Sequence, residues 1–492
     1  MRKQDHLIQL IHSLTPSEKK YFRQYISARH DSKDYEKLFD TLHKSDTYDA
    51  DTVSRTLKKS KKNLADDKEY LQEILLRSLQ NFHASSMPRA RCFNGLIEAD
   101  ILAGKGMTEF GLARVRKLKK SLIAGEDSLQ YYMVLAQETN MAKYNTPGGL
   151  KAEKAIKATG DELIERLKAI LLYNQVVKIS IQILDLSADT TYVANPTIQK
   201  KAAVLIQEVN ELTRGKKLSA CTHTAYHKML AEYYLFLGVD TAMSIQHGRK
   251  ALQRFEAEST AYRQFYIKDN YLIYQILVQG YFASRDYKNM ELFLHRIKAL
   301  ISGNVLKQLQ YRSGRFIFQN ELLFFTATGR HTEALAYLQN NLDGYKTIGA
   351  TEEDLSVVQL MQAVNLFHQQ KYDDALKALL PLLSSGAPPQ LPETSITART
   401  LNLMIQYEIG NTESMPDYLR ASERFFRKEK LVTKEVKLFL ELMHQLCKYG
   451  NKVHAMEFQK RLEDVYAACR FELIGHFVLL PWLRRFPKRT LA

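Results

Sequence analysis

Leu366-Phe367-His368-Gln369-Gln370-Lys371-Tyr372-Asp373-Asp374-Ala375-Leu376, followed by Leu379 and Leu380, is the stretch on which the fold turns. Its apolar residues recur at steps of three and four on either side of a short polar run. That period gathers them on one helical face, whereas a strand would alternate every second residue. Asp373 and Asp374 open the second apolar segment, where carboxylates complement the dipole of a helix start. The stretch therefore predicts a helix, a tight turn and a second helix, with the small Ala375 at the closest crossing.

Working outward, the same pattern returns as Leu322, Phe325, Gly329-Arg330, Ala334, Leu338 and as Val278, Tyr281, Asp286-Tyr287, Met290, Leu294. A further copy is Leu235, Ser244, Gly248, Ala251, and an early one is Ala99, Leu102, Gly106, Gly111, Val115, Leu118. The steps from Ser244 to Met290, Ala334 and Ala375 are 46, 44 and 41 residues. Leu71, Ile74, Leu75, Leu79 and Phe82 also follow the helical period. Thr15-Pro16-Ser17-Glu18 reads as a capping box with proline at the first helical position. No alternating run bounded by hairpin turns is found, so the chain is expected to be all-α.

Small residues at the crossings, with large apolar or aromatic residues at fixed offsets, resemble the tetratricopeptide repeat (TPR), whose usual period is about 34 residues. The resemblance implies a right-handed α-α superhelix, a TPR-like solenoid, over residues 89–385. Ala155 and Ala203 would mark two degenerate units between Gly111 and Ser244. Residues 1–88 are expected to form an N-terminal helical domain or cap of about five helices without small crossings. Gly386-Ala387-Pro388-Pro389-Gln390-Leu391-Pro392 marks a break. Residues 391–492 are read as degenerate helix pairs, about 394–429 and 431–470, and a C-terminal capping helix at about 471–486 around Trp482.

Composition narrows the function classes. The 492 residues hold 21 Gly and 11 Pro, a scarcity that argues against turn-dense β folds and disordered linkers. Cys92, Cys221, Cys447 and Cys469 form no C-x-x-C pair, the closest two being 22 positions apart, so reduced thiols are expected. The start lacks an unbroken apolar segment and a cleavage site. The longest apolar run, Phe477 to Leu483, is far short of the ~20 residues of a membrane helix. A cytoplasmic protein with no membrane contact is expected.

Catalytic signatures are missing: there is no G-x-x-x-x-G-K-[ST], no G-x-G-x-x-G, no G-x-S-x-G and no H-E-x-x-H. Thr146-Pro147-Gly148-Gly149-Leu150-Lys151 reads as a turn between helices. Cys221, His223 and His227 have spacing that suits zinc, but a full ligand set is lacking, so neither a metal nor a cofactor is expected. His444, Cys447 and His454 are weaker still. The expectation is a protein that is not an enzyme.

Two kinds of binding surface remain. Lys58, Lys59, Lys61 and Lys62, then Arg114, Arg116, Lys117 and Lys120, are candidate anion contacts in a chain of net charge +16. Nucleic acid is a possible partner through them, yet Val115, Leu118 and Leu122 lie on another face, as in a solvated helix. The TPR resemblance implies a concave groove lined by Tyr226, Met229, Tyr233 and Phe236, then Gln275, Gln279 and Phe282. Next come Phe316, Gln319 and Leu323, then Leu360, Val364 and Phe367. The Lys and Asn of the family's carboxylate clamp are missing. An apolar lining with glutamines suits an amphipathic helix or extended peptide, unless this chain's own helices fill it. A non-catalytic scaffold for a protein or peptide is the expectation. The alternatives are a nucleic-acid-associated protein, or a peptide-sensing regulator with residues 1–88 as effector.

Overall fold

The computed structural model describes residues 6–27, 32–44, 50–57, 59–85, 87–122, 129–145, 150–188, 196–302, 310–384, 392–411, 413–449, 455–467 and 474–484. Among the described residues there are 23 α-helices and no strand. The chain divides into two compact units, the first reaching Leu167 and the second running on from Lys168.

The first unit holds α1 (His6–Ser13), α2 (Pro16–Ser27), α3 (Ser32–His43), α4 (Ala50–Leu57), α5 (Lys61–His83), α6 (Pro88–Gly104), α7 (Thr108–Ser121), α8 (Leu129–Asn145) and the start of α9 (Leu150–Ala188). The second holds the rest of α9, then α10 (Pro196–Thr213), α11 (Ala220–Phe236), α12 (Thr241–Glu256), α13 (Thr260–Ala283), α14 (Tyr287–Ser302), α15 (Gln310–Ala327) and α16 (His331–Thr347). It continues through α17 (Glu352–His368), α18 (Tyr372–Leu383), α19 (Pro392–Glu408), α20 (Met415–Lys428), α21 (Lys434–Tyr449), α22 (Ala455–Ala467) and α23 (Ile474–Leu483).

In the first unit, Leu7, Ile11, Phe22, Phe39, Leu71 and Leu75 meet in one core beneath α1–α5. The capping box forms: the Thr15 hydroxyl accepts from the Glu18 amide, and the Glu18 carboxylate accepts from the Thr15 amide at 2.7 Å. The other oxygen of Glu18 lies 2.7 Å from His83 Nε2, tying the start of α2 to the end of α5.

The second unit repeats one turn. At Gly238, Arg285, Gly329, Gln370 and Gly410 the backbone enters the left-handed region, with φ between 60° and 79°. Each of these amides bonds the carbonyl three residues back, and the next amide bonds the carbonyl five back. This is the Schellman closure, which satisfies the orphan carbonyls of the helix end. These five turns join α11 to α12, α13 to α14, α15 to α16, α17 to α18 and α19 to α20; a sixth of the same form, at Lys430 with φ 56°, joins α20 to α21 only 20 residues after Gly410. The steps between the first five are 47, 44, 41 and 40 residues, so the period read from the small residues is also the period of these turns. From α11 onward each helix packs on the next. Alternate helices touch too, α11 on α13, α15 on α17 and α17 on α19.

Four of the expected crossing residues, Ala251, Met290, Ala334 and Ala375, are fully buried. Ser244 is also buried, and its hydroxyl donates to the carbonyl of Ala231 at 2.8 Å, so a polar side chain fills a crossing without losing a hydrogen bond. The expected crossing at Ala203 is not one: Ala203 is exposed on α10, and its neighbour Ala202 faces the core instead. The expected crossing at Ala155 is not a hairpin, because α9 runs unbroken for 39 residues. Its one weak point is Gly160, which costs about 1 kcal/mol against alanine and does not end a helix. By length and composition alone, Ile156–Ser187 is apolar enough to cross a membrane. Its Val176, Ile179 and Ile183 pack into a core with α10 and α11, but only 28% of its apolar window is buried, and Ile164, Leu167, Leu171 and Ile181 are exposed.

Gly111 tests the packing directly. A Cβ there would meet the Ala99 carbonyl oxygen at 3.0 Å and Met141 Cε at 3.3 Å, whereas at Gly104 it would meet nothing within 4 Å. Gly111→Ala is expected to destabilise the first unit by about 1–2 kcal/mol, since backbone must move. Gly104→Ala is expected to stabilise it by up to about 1 kcal/mol through helix propensity. Urea unfolding of the two variants checks the opposite signs.

Candidate functional site: an apolar helix face and a histidine-lined pocket

Of the thirteen residues assigned to the groove by the TPR resemblance, five are buried within the chain's own core and eight are half-buried. Leu360, Val364 and Phe367 are fully buried in the core that runs from α17 to α23. Met229 is buried against α9 and α10, and Phe282 is buried as well. As placed, these five leave no surface for a partner, because the next helices of the stack cover them. Tyr226, Tyr233, Phe236, Gln275, Gln279, Phe316, Gln319 and Leu323 are half-buried. Some of these are committed internally: Tyr226 donates to Asn210 Oδ1 at 2.7 Å, and Gln319 Nε2 lies 2.8 Å from the Tyr345 hydroxyl and 2.9 Å from Asp354 Oδ1.

The basic clusters are partly neutralised. Lys58 and the side chains of Lys61 and Lys62 lie outside the described residues. Lys59 Nζ sits 2.8 Å from Asp67 and 3.3 Å from Asp34, and the hydrogen bond to Asp67 holds its pKa above the usual lysine value. Arg114 pairs with Glu98, and Arg116 with Glu138. Lys119 bridges Glu138 and Glu162. Lys117 and Lys120 are exposed and enter no ion pair among the described residues.

An unforeseen surface lies on α6. Cys92, Leu96 and Ala99 form its buried side, in a core with Leu112 and Val115 of α7. The opposite side is apolar too: Phe93, Ile97 and Ile101, spaced by four, are 43%, 56% and 53% exposed. Met107 and Phe110, at the turn into α7, are exposed as well, Phe110 at 66%. Arg91, Glu98 and Asp100 are exposed on α6 itself, so that helix carries two apolar series separated by charged residues. Along α7, Phe110, Ala113, Lys117 and Lys120 follow the helical period, so two unpaired ammonium groups share the face that begins with Phe110.

A second arrangement brings together residues that the sequence showed only in part. His223 and His227 stand one turn apart on α11, with ring centroids 4.5 Å apart. His247 comes from α12, and its Nδ1 lies 2.8 Å from Nδ1 of His227, so one imidazole donates to the other. The ring of Tyr234 stacks on His247 at 5.6 Å. Beside these rings opens a concavity of about 440 Å³ lined by His223, His227, Lys250, Gln253, Arg254 and Ala257. Burial, and then the charges of Arg254 and Lys250, lower the pKa of His223. Burial, helped by the neighbouring His223, His247 and Lys250, lowers that of His227 to about 3. Cys221 is not a fellow ligand; its Sγ lies 2.8 Å from the Tyr262 hydroxyl. Among the described residues no group of three or more His, Cys, Asp or Glu is arranged to hold a metal ion.

No protein-family profile matches the chain, and no curated protein matches it.

Proposed function

We propose that the protein is a TPR-like helical-repeat scaffold whose α6–α7 face binds an acidic amphipathic helix of a partner protein. The fold reading behind this is a right-handed solenoid closed at its end by α23. The five evenly stepped Schellman turns from Gly238 to Gly410, the packing of alternate helices and the small residues at crossings support it. The burial of Trp482, whose indole nitrogen donates to Glu408 at 2.6 Å, suits a capping role for α23.

The observation that carries the functional reading is the doubly apolar α6. Three large side chains, one per turn, match the spacing by which a helix anchors in a complementary groove. Exposed apolar surface of this kind, rimmed by charge, marks an interaction site. Lys117 and Lys120 select the sign of the partner's flank. The nucleic-acid reading loses support, because Lys59, Arg114 and Arg116 already have carboxylate partners.

Fluorescence anisotropy with two labelled helical peptides tests this. They share one apolar face, and one carries Glu and the other Lys on its flanks. The acidic peptide is expected to bind the full chain saturably, with Ile97→Ser plus Ile101→Ser weakening it roughly tenfold or more. Lys117→Glu should weaken only the acidic peptide. Equal binding of both peptides, or unchanged binding by the serine variant, would refute the proposal. So would a stable dimer in sedimentation that Ile97→Ser dissociates, since the occupant is then a second copy.

A further inference from the structure

We propose that the concavity between α11 and α12 is a binding site for the phosphate group of a small phosphorylated molecule, held by Lys250 and Arg254 at its rim and by His223 and His227 at its floor. The lining offers an ammonium, a guanidinium, an amide and two imidazoles, and it contains no carboxylate. His223 Nδ1 is buried and has no hydrogen-bond partner. An orphaned buried nitrogen is costly unless a ligand or water satisfies it.

The charges around the pocket do not balance. The ionisable groups that line it are His223 and His227 from α11 and Lys250 and Arg254 from α12, while Tyr226 and His247 stand behind against the His227 ring and Tyr234 stacks on His247. Tyr262 of α13 stands behind Cys221. Glu258, just after α12, is the only carboxylate at the site among the described residues; it pairs with Arg254 at 2.8 Å from outside the lining. That pair occupies part of the guanidinium, whose five N–H groups leave donors free for a second anion. Every charged neighbour that acts on His223, His227 and His247 is cationic or another histidine. Such a field attracts a negative group.

The chemistry favours phosphate over carboxylate. Donors converge from several directions, which suits a tetrahedral group with three or four acceptor oxygens. Burial is the main cause that keeps the imidazoles neutral, and a dianion opposes only the smaller contribution of Lys250 and Arg254, so binding favours a proton on the less buried His223. The volume exceeds that of phosphate alone, leaving room for the organic part of a small metabolite. A metal is a poorer fit, because His227 and His247 already bond to each other through Nδ1.

Isothermal titration calorimetry on the full chain, at constant ionic strength, tests the site with orthophosphate, pyrophosphate, sulfate and citrate. Phosphate and pyrophosphate are expected to saturate one site, with proton uptake seen as a heat that varies with the buffer. Sulfate, whose charge is constant over this range, should bind more tightly as the pH falls from about 7.5 to about 6. Lys250→Gln with Arg254→Gln should lower affinity roughly tenfold or more, while the thermal midpoint without ligand stays unchanged. If the pair unfolds the protein, Lys250→Gln alone serves, since that side chain is exposed. His223→Gln should reduce the proton uptake. Absence of saturation, an unaffected Lys250/Arg254 variant, or citrate binding as tightly as pyrophosphate would overturn the proposal. An equal loss on Lys288→Gln, on α14, would also overturn it, because binding would then be generic to surface charge.

Discussion

Phe367→Ala will lower the unfolding free energy of the second unit by about 3–5 kcal/mol, the usual cost of emptying a fully buried phenylalanine site. The ring is fully buried and stands 5.6 Å from that of Tyr372 across the turn. It belongs to a core that includes Leu360, Ala375, Leu379, Leu401 and Trp482, contributed by four helices. The backbone around it is fixed as well, since its carbonyl accepts the amide of Gln370 at 2.9 Å to close the Schellman turn. The surroundings therefore have little freedom to collapse into the cavity. Urea unfolding followed by circular dichroism measures the loss. A change below about 1 kcal/mol would show that the side chain faces an open groove. The half-buried Phe316 is a suitable comparison, and Phe316→Ala should cost less than half as much.

Phe367 also shows where a sequence stops being legible. Period and small residues place it on a helix next to a crossing, and both hold. They do not say which side of the helix the next pair covers. In a stack, one side of each first helix meets its own partner and the other meets the following pair, so both sides are apolar. Leu360, Val364 and Phe367 look identical, as text, to residues lining a channel. The hairpins were readable because glycine at 238, 329 and 410 tolerates the left-handed turn. Arg285 and Gln370 adopt the same turn without that signal. They were locatable only through the apolar residues on either side. The 39-residue α9 holds no proline between Leu150 and Ala188, a signal of continuity that the expected repeat spacing at Ala155 contradicts.

The candidate sites were legible to different degrees. His223 and His227 are four apart, and one helix suffices to pair them. His247 arrives from the other arm of a hairpin, which no local spacing reveals. The α6 face had a signal that went unread: Phe93, Ile97 and Ile101 form a second period-four series, offset from Cys92, Leu96 and Ala99. Two apolar series on one helix mean two contacts. The basic run Arg114–Lys120 shows the opposite limit. Its charges are plain in the text, but their partners Glu98, Glu138 and Glu162 lie up to 43 residues away.

His227 carries the second large effect. Its pKa is lowered to about 3, mainly by burial, against an ordinary value near 6.5. Between those values the unfolded chain binds a proton there and the folded chain does not. Stability contributed by the neutral ring is therefore complete above about pH 6.5 and is lost progressively toward pH 3. The loss is on the order of 1 kcal/mol at pH 5.5 and grows to several kcal/mol toward pH 3.5. Glu393 acts in the opposite direction, since burial pushes its carboxyl up to about 7, and protonation below that value favours the folded state. The wild-type pH profile is thus a difference between opposing groups, and only subtraction isolates the histidine. His227→Asn places an amide nitrogen near the position of Nδ1, preserves a hydrogen bond to His247 and removes the titration. Relative to wild type, the variant should be less stable or equal at pH 7.5, and it should gain about 1 kcal/mol on wild type by pH 5.5. Parallel profiles for the two proteins across that window would mean that His227 takes up its proton without unfolding anything, and that the ring is wetter than its packing against Tyr226 and His247 implies.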